Sequence, residues 1–284
     1  MSALAFSAEA FAIALGAGFL GSLLGIGGGI IIVPALTLLM GVDIRFAIGA
    51  SIVSVVATSS GSAVTFVKKA IANVKLAMIL EVATVSGALV GAFLGTSLPR
   101  ENLYLLFGLL LFLVATLMVI RRNAEDSSRA PSTSDLARAQ KLDLVGHYED
   151  VRKGQVNYVV RRIGAGQCAS FVAGILSGLL GVGGGIVKVP VMNVVMGVPL
   201  KVATATSNLM IGVTAAASAL VYVTRGDINP FVATPVALGV LAGAQLGSRI
   251  MTRIESRIIL RLFVVILVWM GGQMCWKWWS STHG

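Results

Sequence analysis

The sequence predicts an all-α polytopic membrane protein. It reads as two inverted-topology repeats of about five helical segments each, with glycine-broken short helices near the midplane. Three observations carry this expectation. The chain of 284 residues is 56% hydrophobic and only 12% charged, about half the charged share of a soluble domain. Charge-free stretches of membrane-spanning length recur along it. The second half then repeats the first at a constant offset.

The stretches come in order. Ala10 to Val42 contains no Asp, Glu, Lys or Arg, and is interrupted by GIGGGIIIVP at 25–34. Apolar windows follow at 46–67, 82–99, 102–120, 163–187, 202–224 and 228–248, with a shorter one at 262–276. The N-terminus lacks a basic leading region and a clear small-residue cleavage site, so it reads as a retained first helix. The net charge of +10 fits retained basic residues in cytoplasmic loops. No basic-aromatic surface points to nucleic acid. Cys168 and Cys275 lie far apart in apolar segments and read as packing residues.

Laying residue 181 on residue 25 gives the offset, 181 − 25 = 156. GIGGGIIIVP then falls on GVGGGIVKVP at 181–190, MGV at 40–42 on MGV at 196–198, Ser51 on Ser207, and Asn73 on Asn229. GALVG at 87–91 falls on GAQLG at 243–247. Internal repeats of this kind mark many transporter folds. The expected division is a first transmembrane repeat over 1–120, a charged linker over 121–162, and a second, inverted repeat over 163–284.

The linker holds nine basic and six acidic residues and reads as solvated, with a short surface helix near 134–145. Its basic charge places it in the cytoplasm. Counting spans outward from it puts the lysine-rich loop 68–75 inside and 225–230 outside. The turn at Pro99 falls outside and its counterpart with Arg249, Arg253 and Arg257 inside. Matching loops thus land on opposite faces, with both termini outside the cell (inner) membrane. Trp269, Trp276, Trp278 and Trp279 read as an interfacial belt.

The arms after the glycines, 30–40 and 186–196, are too short to cross upright. A chain that turns inside the membrane must bury its backbone polar groups in protein or line a watery cavity with them. Glycine permits such a turn, and the helix that starts after it points unpaired N–H groups into the cavity. Gly27, Gly28, Gly29, Gly183, Gly184 and Gly185 are therefore candidate anion-binding residues. Close helix packing is the alternative use of the same glycines. Whether the elements are re-entrant hairpins or short spans decides between eight and ten crossings.

Lys188 lies three residues past the second triple glycine, where the first copy has Ile32. An intramembrane cation is a candidate anion ligand, with snorkelling to an interface as the alternative. Ser51, Thr206, Ser207 and Asn208 could donate hydrogen bonds to anionic oxygens, or join helices. Glu81 is the other intramembrane charge. It is a candidate proton carrier, or a partner of Lys75 near the interface. No nucleophile–base pair or metal-ligand cluster appears in the apolar segments, so neither enzyme activity nor cofactor is expected. The expected partners are the lipid bilayer and a small anion, with a second copy of the chain also open.

The paired GxGGGxxxVP elements, the GVxxxxAxxxS stretches after them, and GALVGAFLG with GAQLGSRI resemble the TauE/SafE (TSUP) family of sulfite and organosulfonate exporters. The resemblance spans nearly the whole chain outside the linker. It implies transport of sulfur-containing or carboxylate anions such as sulfite, thiosulfate, sulfoacetate or sulfolactate, and no enzyme activity, while the inverted repeat and paired breaks point to a secondary transporter working by alternating access. It does not fix the substrate. Lys188 departs from the apolar residue of the first copy. An anion channel and a carrier of non-sulfur carboxylates are the alternatives.

Overall fold

The computed structural model describes residues 2–24, 28–68, 71–121, 144–150, 154–250 and 256–283. The first half contains α1 (Ala3–Leu24), α2 (Gly29–Leu39), α3 (Ile44–Lys68), α4 (Val74–Ser97) and α5 (Arg100–Arg121). A hairpin of β1 (Val145–Asp150) and β2 (Gly154–Val159) follows. The second half contains α6 (Ile163–Leu180), α7 (Gly185–Pro190) running into a π-helical turn (Val191–Val195), α8 (Leu200–Thr224), α9 (Pro230–Ile250) and α10 (Ser256–His283). The chain is an all-α polytopic membrane protein, as expected. Among the described residues, five helices are long and apolar enough to cross a bilayer: Ala3–Gly21, Val74–Ser97, Arg100–Val119, Ile163–Leu180 and Leu200–Thr224. Large apolar side chains such as Leu4, Phe93, Leu220 and Val265 face outward, the arrangement a lipid solvent favours.

The short arms are short in the structure too. α2 has 11 residues, about 16 Å at 1.5 Å per residue, roughly half the hydrocarbon thickness. α7 has 6 residues and ends at Pro190, which has no N–H to donate and loosens the ladder into the π turn.

Packing follows the repeat. α1 lies along α9 and α4 along α6, while α3 lies against α8 and α5 against α10. Exchanging the two halves leaves this pattern unchanged. The correspondence reaches individual residues. A Cβ at Gly87 would strike the Phe171 carbonyl, and one at Gly174 would strike the Thr84 carbonyl. At the same offset, Gly243 meets the Leu15 carbonyl and Gly18 the Val240 carbonyl. These glycines let α4 and α6, and α1 and α9, touch backbone to backbone, as small residues do between membrane helices.

The contacts also fix directions. Gly87 lies beside Phe171 and Gly91 beside Ile175, so α4 and α6 run the same way. Gly49 abuts Asp227 while Ser59 bonds to the Asn208 carbonyl, so α3 and α8 run oppositely. Lys277 sits over the Tyr104 ring and Gly271 beside Leu111, so α5 and α10 do too.

The linker departs from expectation. Residues 134–143 of the anticipated surface helix lie outside the described residues. From Val145 the chain forms an antiparallel hairpin, Val145 opposite Val159 and Asp150 opposite Gly154. The alternation in GQVNYVV suits a strand, and the run of charge upstream masks it. Leu144 and Val160 at its base are fully buried in a cluster with Leu76, Met192, Met196 and Val202. This part of the linker is docked on helix ends, not merely solvated.

Candidate anion site at the glycine breaks

At the first break α1 ends at Leu24 and α2 begins at Gly29, with Gly28 in a right-handed conformation at φ −69. Gly27 lies outside the described residues. At the second break Gly181, Gly183 and Gly184 have φ of +68, +80 and +68. L-residues with a Cβ rarely adopt that conformation, so the turn between α6 and α7 requires glycine.

The two breaks touch. The Ser51 hydroxyl, fully buried on α3, donates to the Gly181 carbonyl at 2.7 Å. The Gly29 carbonyl is a second acceptor at 3.3 Å. A Cβ at Gly29 would lie 2.9 Å from Ser51 Oγ and 3.0 Å from the Gly181 carbonyl. Around the other break the same geometry recurs: a Cβ at Gly185 would lie 3.2 Å from Ser207 Oγ on α8. The Ser207 hydroxyl is buried and has no hydrogen-bond partner, an unusual state for such a group.

Lys188 does not snorkel. It is 2% exposed, with its stem passing the bare side of Gly184 at 3.4 Å from where a Cβ would stand. Its ammonium donates to Thr214 Oγ1 at 3.0 Å. Thr214 Oγ1 in turn lies 2.8 Å from Glu81 Oε1, with the Met210 carbonyl at 2.9 Å as the competing acceptor. A hydroxyl has one proton and two lone pairs, so it can accept from Lys188 while donating to Glu81. Glu81 Oε2 is buried without a partner. Side chains from α7, α8 and α4 thus form one polar line inside the bundle. Glu81, seven residues into α4, is about 10 Å along that helix from its start.

The other expected site residues are placed differently. Thr206 Oγ1 accepts the Asn73 backbone N–H at 2.9 Å, and Asn73 caps α4 through the Leu76 N–H. The Asn208 carbonyl accepts from Ser59 at 2.5 Å. Thr206 Oγ1 therefore joins elements in this structure and Asn208 does so through its backbone carbonyl, while Ser51, Ser207, Lys188 and the described glycines gather at the breaks. Thr214 escaped the sequence reading. Its signal was available: it lies two turns beyond Ser207 and one before Ser218 on the buried face of α8, and it matches Thr58 at the repeat offset.

At the opposite ends of the helices a second charged group assembles. Asp43 pairs with Arg100 at 2.7 Å, and Arg45 Nη2 donates to the Leu98 carbonyl at 2.8 Å. Asp227, in the loop after α8, has its carboxyl pushed above the ordinary range by burial, against the opposing pull of Arg45. Among the described residues no group of His, Cys, Asp or Glu could hold a metal ion.

A helical bundle with lipid-facing flanks, short helices that start at glycines in its interior, and charges held between helices has the build of a polytopic membrane protein, and its relatives make it a transporter. The family described as "Sulfite exporter TauE/SafE" matches residues 10–274, and the chain belongs to it. The chain is 27% identical over 220 residues to "Probable membrane transporter protein YunE" of Bacillus subtilis, covering 75% of this chain and 77% of that one. It is also 27% identical over 267 residues to a "Probable membrane transporter protein" of Xylella fastidiosa strain 9a5c, covering 93% of each. A third relative, "Probable membrane transporter protein MJ0441" of Methanocaldococcus jannaschii, is 27% identical over 236 residues, 78% of this chain and 76% of that one. No solved structure matches.

Proposed function

We propose that this transporter carries small sulfur-containing anions, such as sulfite, sulfoacetate or other sulfonates, across the cell (inner) membrane by alternating access around the glycine breaks. The observation that carries the reading is Lys188, an ammonium buried beside the second break. A cation there is costly without a function or a partner, and the family description supplies sulfite as the ligand class. Gly28, Gly29, Gly183, Gly184, Gly185, Ser51 and Ser207 complete the site in this reading, with the breaks rearranging as the halves rock.

The antiparallel courses of α3 against α8 and of α5 against α10 support inverted repeats over 1–120 and 163–284. The linker 121–162 lies in the cytoplasm in this arrangement, and both termini outside. Export is the favoured direction. A membrane potential negative inside is worth about 2.3 kcal/mol per charge per 100 mV, and an anion leaves the cell down that field.

The test is radiolabelled flux into proteoliposomes with sulfite, thiosulfate, sulfoacetate and acetate as competitors. Saturable flux with counter-transport, selective for a sulfur oxyanion, is expected. Single-channel currents would instead identify a channel. Preference for acetate would move the substrate to carboxylates.

A further inference from the structure

We propose that Glu81, Thr214 and Lys188 form a proton-coupled switch on the anion site. Glu81 holds the Lys188 ammonium through Thr214 when the site is empty, and takes up a proton when the anion claims that ammonium. This rests on the transport reading above and adds the coupling ion to it.

Three observations carry it. The ammonium is buried and donates a hydrogen bond to Thr214, which links it to Glu81 Oε1. The hydroxyl has a second acceptor of its own, the Met210 carbonyl at 2.9 Å. It can therefore let go of Glu81 without losing a hydrogen bond, the two-position behaviour a switch needs. Glu81 Oε2 is buried and unpartnered, which leaves one oxygen ready to accept a proton.

Among the described residues, Lys188 is the charge that acts on Glu81 and Thr214 the hydroxyl bonded to it. α7 supplies Lys188 and α8 supplies Thr214. α6 turns Gly174 and Gly178 towards α4, and its one titratable side chain, Cys168, is exposed. Arg45 on α3 is at the far end of α4, bonded to the Leu98 carbonyl. When an anion binds Lys188, two negative groups compete for one ammonium in a medium that screens them weakly. Protonating Glu81 removes the competition. The proton comes from water on the loading face, adds to Oε2, and leaves to water on the opposite face with the anion. One proton and one anion move together, so a dianion such as thiosulfate still leaves the cell down the field carrying one charge, whereas a monoanion crosses without net charge and follows the pH difference alone. The second half alone carries the lysine: at the repeat offset Lys188, Thr214 and Glu81 correspond to Ile32, Thr58 and Ala237.

The experiment uses the full chain in proteoliposomes, with the membrane potential clamped at zero and an imposed pH gradient, alkaline inside. The probes are labelled sulfite, thiosulfate and sulfoacetate. Wild-type protein should accumulate a transported probe about tenfold per pH unit at one proton per anion. Glu81→Gln should lose that accumulation yet still exchange internal for external anion. Thr214→Ser should keep the coupling and Thr214→Val should lose it, which decides the matter even where Glu81→Gln does not fold. Wild-type flux indifferent to the pH gradient, or Glu81→Gln accumulating like wild type, overturns the switch and leaves the transport reading standing. No flux of any probe overturns the transport reading, and the switch with it.

Discussion

The two glycine breaks share a sequence and differ in what they hold. Each has a serine one helix away beside its last glycine: Ser51 by Gly29 and Ser207 by Gly185. Yet Gly28 is right-handed at φ −69, while its counterpart Gly184 is left-handed at φ +68. Ser51 is hydrogen-bonded to the opposite break, whereas Ser207 has no partner. Four residues past these glycines stands Ile32 in one copy and Lys188 in the other, both buried. Duplication supplied the backbone twice, and the charge was placed once. In the proposed site the first copy is the packed side and the second the side that meets the ligand.

The largest expected effect breaks this asymmetry outright. Lys188→Ala strands Glu81 inside the bundle without its cation, and losing one member of a buried charge pair costs roughly 3–5 kcal/mol. Flux should vanish, and the thermal midpoint of the purified protein should fall. Lys188→Arg should keep part of the flux. Adding Glu81→Gln to Lys188→Ala should recover stability but not flux. If the double variant is as unstable as Lys188→Ala alone, the two charges do not depend on one another. Ile32→Ala, which removes an apolar side chain at the matching place, should lower stability and leave the anion affinity of the surviving protein unchanged.

A middle-sized effect compares the glycines. Gly184→Ala puts a Cβ on a left-handed backbone, about 1–2 kcal/mol, and sets it 3.0 Å from the Ala173 carbonyl. Gly28→Ala meets a backbone that any residue adopts, with the Val240 methyl at 3.1 Å as its nearest neighbour. Gly184→Ala should therefore lower the thermal midpoint clearly and Gly28→Ala by less, since a right-handed backbone adds no strain and the nearest atom, a side-chain methyl, can yield. Equal losses would mean that the breaks are alike and that the handedness at Gly184 is immaterial. Gly184→Leu should abolish transport.

Much of this arrangement was legible in the sequence because it depends on local composition. Charge-free windows mark helices, GIGGGIIIVP and GVGGGIVKVP mark breaks, and the offset of 156 marks which residues of the two halves correspond. What stayed hidden depends on distance in the chain. Lys188 and Glu81 are more than a hundred residues apart, and Thr214 between them looks like any hydroxyl in an apolar helix. Only the side-by-side course of α4 and α8 brings them together. Thr206 shows the converse: its neighbours TSN suggest a ligand cluster, but the loop before α4 claims its oxygen. The hairpin at 145–159 was masked because charge counts say nothing about alternation, and Val160 and Leu144 are buried by what lies above them in space.

The smallest expected effect is also the most discriminating, because it compares two serines that the repeat makes equivalent. Ser51→Ala removes a hydroxyl that satisfies the Gly181 carbonyl, worth about 1 kcal/mol in a typical exchange with solvent. The thermal midpoint should fall accordingly, with anion affinity little altered in the protein that remains folded. Ser207→Ala removes a buried hydroxyl that bonds to nothing, so stability should hold or rise slightly, since an unsatisfied polar group is itself a cost. If Ser207 keeps its hydroxyl for the ligand, anion-induced thermal stabilisation, which follows affinity for the folded state, should shrink in Ser207→Ala alone. A stability loss equal to that of Ser51→Ala, with the anion response intact, would return Ser207 to helix packing and leave Lys188 as the feature that separates the two halves.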